Sequence, residues 1–352
     1  MRCAYCFYHN EAQHRAVPYT EIMSDATVDN LIKKAFAASP SGVFFAFQGG
    51  EPTLAGLEYF EKFVAKVNEV NVGGAPVQYT LQTNGLNINS EWAMFLHKHN
   101  FLVGLSCDGD AAVHNALRPD PSGKGTFDRV IAAAKCLRCY GVEFNILTVV
   151  TKQVAKKIKQ IYTAFRKQGF SYMQFIPCIA PIGDEAYSAF VPDDNEYYRF
   201  LHGLFDVWYA EFLRGKYVSI RYFDNLYHIY KGEGAEQCGM QGHCSLQFVI
   251  EGNGDVYPCD FYCLDDFLLG NINSLTFPEL SDSANAREFL GVSQTQNEKC
   301  KACRYAKYCC NGCRRYRENG EFRYCEASRK FYAELVEQLP EIDRRVMGGF
   351  VK

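Results

Sequence analysis

With 352 residues, 48% of them apolar and 22% charged, the chain has the balance of a globular protein and room for two domains or one large α/β barrel with an appendage. No apolar run approaches the roughly 20 residues of a membrane-spanning helix, and the opening Met1-Arg2-Cys3-Ala4-Tyr5-Cys6 carries no apolar leader core. A formal charge of −3 leaves no nucleic-acid footprint, so a cytoplasmic protein without nucleic-acid or membrane partners is expected.

In chain order, Ser24 is placed to cap a helix with the apolar stripe Val28, Leu31, Ile32, Ala35 and Phe36. Residues 42–47 then read as a buried strand. A helix carrying Phe60, Val64 and Val67 leads to a strand over 77–83. A helix over 91–99 leads to a strand over 101–106. Residues 127–140 are helical and 143–151 extended. Val154, Ile158, Ile161 and Phe165 form a further helical stripe stopped by Gly169, and a strand follows over 172–176. Helices interleaved with near-continuous apolar strands imply a parallel sheet covered by helices. After about residue 225 the texture becomes rich in Cys, Gly, Tyr and Arg, with a last helix over 326–339. The expected units are 1–225 and 226–352, the second organised by metal sites more than by a large core.

The sixteen cysteines are unevenly spread. Cys107, Cys136, Cys139 and Cys178 are scattered and suit buried small hydrophobes. Ten fall between Cys238 and Cys325, and clustering at short spacings favours metal or cluster ligation over disulfides. At the front, Cys3-x-x-Cys6 is by itself equally a redox dithiol or half a zinc site. Gln48-Gly49-Gly50-Glu51-Pro52 follows a predicted strand, where its glycines allow close backbone approach to a ligand. Read alone, it is an ordinary turn between strand and helix. Likewise Asp108 and Arg118, read alone, are a surface ion pair.

Together these motifs resemble the radical S-adenosylmethionine superfamily. Cys3 and Cys6 match the last two cysteines of its Cys-x-x-x-Cys-x-x-Cys loop, and residues 49–52 match its Gly-Gly-Glu-Pro motif. The array Cys238-x5-Cys244-x14-Cys259, then Cys300-x2-Cys303-x5-Cys309-x3-Cys313 and Cys325, resembles the SPASM extension with two auxiliary 4Fe–4S clusters. Four cysteines are needed for each. The resemblance assigns Cys238, Cys244, Cys259 and Cys313 to one cluster and Cys300, Cys303, Cys309 and Cys325 to the other, leaving Cys263 and Cys310 structural. A pair of zinc sites is the alternative. Val256-Tyr257-Pro258-Cys259-Asp260-Phe261-Tyr262 is similar to one subfamily, the anaerobic sulfatase-maturating enzymes, as are 219–224 and 269–272.

That resemblance implies a partial (β/α)6 TIM-like barrel lacking its first strand, with five strands counted, joined to a SPASM domain. It implies S-adenosylmethionine and three 4Fe–4S clusters in the complete protein. Cofactor contacts are expected from Tyr5, Gly49, Gly50, Glu51, Ser106, Arg118 and Ile179, and the front cluster on Cys3 and Cys6. The reaction implied is oxidation of a Cys or Ser side chain in an unfolded sulfatase polypeptide to Cα-formylglycine, by a 5′-deoxyadenosyl radical, with Asp260 as base. Tyr8, Gln48, Arg221 and Tyr222 are expected peptide contacts, and a flavodoxin- or ferredoxin-type protein the electron donor. Two rival readings are another SPASM-type enzyme forming thioether or carbon–carbon crosslinks, and a non-enzymatic zinc or electron-transfer protein. The first cysteine of that loop belongs four residues before Cys3, so the chain is expected to be cut short and inactive as it stands.

Overall fold

The computed structural model describes residues 1–180, 182, 189–294 and 297–349. The chain runs α1 (Phe7–Gln13), α2 (Asp25–Ala38), β1 (Val43–Phe47), α3 (Leu57–Val70), β2 (Val77–Thr83), α4 (Ser90–Lys98), β3 (Phe101–Ser106), α5 (Ala111–Leu117) and α6 (Phe127–Cys139). It continues through β4 (Phe144–Val150), α7 (Lys152–Lys156), α8 (Ile158–Lys167), β5 (Tyr172–Pro177), α9 (Asp194–Phe212), β6 (Ser219–Ile220) and α10 (Arg221–Lys231). Strands β1 to β6 lie side by side in chain order, every neighbouring pair parallel.

Successive residues of a strand face opposite sides, and both sides are used. Leu81, Val103, Leu105 and Ile146 are fully buried against a helix layer that contributes Phe60, Leu96 and Phe165. The alternate residues Ala46, Gln82, Leu102, Gly104, Leu147 and Gln174 line a concave groove of about 2010 Å³. That face of the sheet is therefore open along its length, where the other is covered by helices.

The expected α/β architecture stands, with four differences. The sheet has six strands where five were counted. The sixth, β6, pairs only through Tyr172 with Ser219 and Met173 with Ile220, and two residues are too few to register as a pattern. The long helix α9 was not foreseen, although Asp193 and Glu196 form a reciprocal capping box at its start. The stripe near Val154 is split, since α7 and α8 break at Lys157. The expected division near residue 225 falls inside α10.

Beyond α10 lie three short strands, β7 (Val249–Ile250), β8 (Asp255–Tyr257) and β9 (Gly270–Asn271), in an antiparallel sheet. The last helix runs Cys325–Met347, through Pro340 and past the expected end. It packs on α9: Phe331 meets Phe205 edge-on at 5.8 Å, while Tyr324, just before the helix, stacks on Tyr197 at 4.1 Å. Thus the cysteine-rich half shares an apolar core with the barrel, more than metal sites alone would give it. Among the described residues no helix is long and apolar enough to cross a membrane. Of the scattered cysteines, Cys107 and Cys178 are buried as expected, but Cys139 is exposed at the end of α6.

Candidate active site

The front loop is stitched to the chain after α5: Arg2 N–H donates to Pro119 O at 2.8 Å and Ala4 N–H to Leu117 O at 3.0 Å. This brings Tyr5 and Cys3 onto the Asp108–Arg118 pair. That pair is not at the surface. Arg118 donates to the Asp108 carboxylate through Nε at 2.8 Å and Nη2 at 3.2 Å, with Asp108 fully buried. The Tyr5 hydroxyl donates to the same carboxylate, and Val149 N–H adds a bond at 3.1 Å. The remaining Nη1 of Arg118 points to Cys3 Sγ at 3.7 Å. Burial pushes the Cys3 thiol up, and the Arg118 charge pulls it back.

Behind this pair, Asp108 N–H donates to His114 Nδ1 at 3.2 Å, and Thr126 donates to Arg118 O at 2.6 Å. His114 Nε2 lies 3.1 Å from Thr126 Oγ1, so its proton sits on Nε2. Burial lowers the imidazole to about 4, and the Arg118 charge acts in the same sense. An unfolded chain takes up that proton near 6.5. Between pH 6.5 and about 4 the unfolded state therefore holds more protons, and stability falls as pH falls. His114→Asn should flatten this slope by about 2–3 kcal/mol over that window, read from denaturant midpoints at pH 6.5 and 4.5. Equal slopes in both proteins contradict it.

The Gly-Gly-Glu-Pro turn leaves β1 with Gly49 and Gly50 at φ +82° and +37°, a conformation other residues adopt only with strain. A Cβ at Gly50 would meet nothing within 4 Å, so this backbone faces open space. Glu51 is spent on the fold. One oxygen accepts from Thr53 Oγ1 at 2.6 Å and Thr83 Oγ1 at 2.7 Å, the other from Asn84 N–H at 2.7 Å. It clips the turn to the end of β2. Ser106 ends β3 and is half-buried, while Ile179 is buried just after β5. Tyr5, Gly49, Gly50, Ser106, Arg118 and Ile179 thus gather around one end of the parallel sheet, where barrel enzymes build their sites.

Asp260 reaches this end from the cysteine-rich half. Its carboxylate lies 3.4 Å from Cys259 Sγ, and the Tyr8 hydroxyl is its electrostatic neighbour. Burial pushes its acidity weaker than that of an ordinary aspartate. Tyr8 also lies 4.0 Å from where a Cβ on Gly49 would stand, so one ring touches the glycine turn and Asp260. Phe7 adds an edge contact to Phe261 at 5.1 Å. Gln48 and Arg221 line the large groove, and Arg221 Nη1 donates to Gln174 at 3.2 Å. Tyr222 does not join them. A helix turns about 100° per residue, and Tyr222 faces the other way, its hydroxyl 2.8 Å from Tyr332.

The eight paired-off cysteines form two neighbourhoods. Cys313 lies in the electrostatic reach of Cys238 and Cys244, and Cys259 in that of Cys313. A Cβ on Gly239 would stand 3.2 Å from Cys313 Cβ, which brings the Cys238 turn against Cys313. Cys309 neighbours Cys300 and Cys325, and Cys300 neighbours Cys303. Among the described residues no three His, Cys, Asp or Glu converge tightly enough for a single ion. Two sets of four soft thiolates are the ligand complement that two 4Fe–4S clusters need. Sequence reasoning missed Glu11, which lies beside Asp260 and Cys263, and Arg315, which faces Glu11.

Comparison with known proteins places these features. The radical SAM superfamily pattern matches residues 1–165, and an iron–sulfur cluster-binding domain, SPASM, matches 238–304. A cysteine-type anaerobic sulfatase-maturating enzyme of Clostridium novyi is 41% identical over 96% of this chain and 92% of its own. One from Clostridium perfringens is 42% identical over 94% and 92%. A serine-type enzyme of Klebsiella pneumoniae is 27% identical over 99% and 87%. The solved structure of native anSMEcpe with bound AdoMet superposes with a TM-score of 0.93 at 41% identity, covering 97% of this chain and 95% of that one. The same enzyme with AdoMet and the Kp18Cys peptide superposes equally well, with a TM-score of 0.93. The chain belongs to the anaerobic sulfatase-maturating enzymes of the radical SAM superfamily, with a SPASM extension.

Proposed function

We propose that this protein oxidises a cysteine side chain of an unfolded sulfatase segment to Cα-formylglycine, with Asp260 as the base. The single observation that carries the assignment of the base is the burial of the Asp260 carboxylate beside Cys259 Sγ at 3.4 Å and next to Tyr8, whose ring also borders the glycine turn of β1. When bound, S-adenosylmethionine and the clusters supply a radical that takes hydrogen from the substrate Cβ and a sink for the second electron. The protein's own work is positional. Arg118, fixed by Asp108, presents a cation toward Cys3; Gly49 and Gly50 offer backbone at close range; Ile179 gives an apolar wall. Asp260 accepts the thiol proton, which a desolvated carboxylate does more readily than an ordinary one.

Gln48 and Arg221 are assigned to the peptide, since both line the groove. A cysteine substrate is favoured over serine because the cysteine-type relatives share 41–42% identity against 27% for the Klebsiella pneumoniae serine-type enzyme. A flavodoxin- or ferredoxin-type donor and a reducing cytoplasm complete the reading, the latter suited to cysteines that are all unpaired.

The test is mass spectrometry of a Cys-x-Pro-x-Arg peptide and its serine counterpart after anaerobic incubation. The 352-residue chain and a form carrying a third cysteine four residues ahead of Cys3 are run in parallel. Formylglycine, formed faster from the cysteine peptide, is the expected product; a thioether or crosslinked product overturns the reading. Metal analysis should find at least about eight irons with matching sulfide per chain, and zinc in their place excludes radical chemistry.

A further inference from the structure

The seam between α1 and the cysteine-rich half holds a side chain that the proposed reaction does not use. Glu11 is 2% exposed, and neither carboxyl oxygen has a hydrogen-bond partner among the described residues. It stands three residues after Tyr8, so the two share one face of α1. The charged and titratable groups facing it are Arg315 from the turn Arg314–Tyr316, Asp260, Arg15 and Glu251, with Tyr8 and Cys263 alongside.

Both cations are already committed. Arg15 donates through Nη1 to Glu251 at 2.9 Å and through Nη2 to the Tyr257 hydroxyl at 3.3 Å. Arg315 donates through Nη2 to Ala180 O at 3.0 Å. Each keeps a buried Nε without a partner, so neither reaches Glu11. A carboxylate here would face Asp260 and Glu251 without one hydrogen bond of its own, whereas the neutral acid carries only the smaller cost of an unpaired polar group.

We propose that Glu11 is a positioning residue: as a neutral acid it fills the seam and keeps Tyr8 on Asp260, and on ionising it turns to Arg315 and loosens that contact. Desolvation raises this carboxyl to about 8, with Arg315 opposing and Asp260 reinforcing the rise. Once the seam opens, Glu11 ionises near 4.5. Between these values the open form releases a proton that the closed form keeps. Opening therefore becomes easier as pH rises, by up to about tenfold per unit, and levels off above about 8. The part played by Asp260 rests on the proposed function; the seam itself does not.

Two measurements on cluster-loaded protein, wild type beside Glu11→Gln and Glu11→Leu, decide it. Amide hydrogen exchange of residues 7–15, corrected for intrinsic rates, should lose protection from pH 6 to 8 in the wild type and stay level in both variants. The number of formylglycines per 5′-deoxyadenosine should step down near pH 8 in the wild type, and that step should vanish in Glu11→Gln. Parallel exchange slopes, or the same step in all three proteins, overturn the proposal. If no formylglycine forms at any pH, the sulfatase reading fails and the exchange slopes alone decide the role of Glu11.

Discussion

Asp260→Asn should cut formylglycine formation by about 10²–10⁴-fold while 5′-deoxyadenosine still forms from S-adenosylmethionine. Asparagine keeps the shape of the residue and can still accept a hydrogen bond, so the seam with α1 should survive. What it loses is the capacity to hold a proton. In the proposed site, hydrogen abstraction and cofactor cleavage draw on the front loop, the Asp108–Arg118 pair and the glycine turn, none of which includes Asp260. The substrate thiol, however, must be deprotonated for the second electron to leave. Product and 5′-deoxyadenosine, quantified in one reaction, should therefore separate by orders of magnitude. Parallel loss of both would make Asp260 a structural residue and would remove it from the chemistry.

The second large effect is expected at the base of the front loop. Asp108→Ala leaves the Arg118 guanidinium buried without its partner, and breaking such a pair costs about 3–5 kcal/mol. Three donors lose their acceptor at once: Arg118, the Tyr5 hydroxyl and Val149 N–H. The damage should not stop at stability. With Arg118 released, nothing fixes its Nη1 near Cys3, and front-cluster occupancy should fall together with the denaturant midpoint. Removing both charges in Asp108→Leu/Arg118→Leu should be milder than the single change, because no ion is left stranded. A loss below about 1 kcal/mol for Asp108→Ala would mean that the pair is screened and carries little.

What could be read from the chain before its fold was known followed physical length scales. Strands β2 and β3 were legible to the residue, since 77–83 and 101–106 are apolar runs bounded by turns. β6 was not, because two residues show no period. Helix α9 could have been read: Asp193 and Glu196 are a capping box, and Tyr197, Phe200, Leu201 and Leu204 form a helical stripe. The cysteine groups were legible through spacing and resemblance, whereas the burial of Asp108 and Arg118 was not. Sequence does not say which charges the fold will enclose. Glu11 is the clearest case, a carboxyl in the polar run Asn10 to Arg15 that reads as surface and proves to be interior. Likewise Arg221 and Tyr222 are equivalent on paper, and only the turn of α10 separates groove from core.

The interleaving of the cysteines has a consequence for how the protein is made. Cys238 and Cys244 find Cys313 only after the intervening polypeptide has emerged from the ribosome, and Cys300 finds Cys325 only at the head of the final helix. Neither quartet can close during most of translation, so iron delivered early meets only incomplete, exchangeable sets of sulfur ligands. Loading of the auxiliary sites is thereby tied to late stages of synthesis, and a prematurely terminated chain lacking its last helix would keep the first quartet but lose Cys325, the fourth ligand of the second.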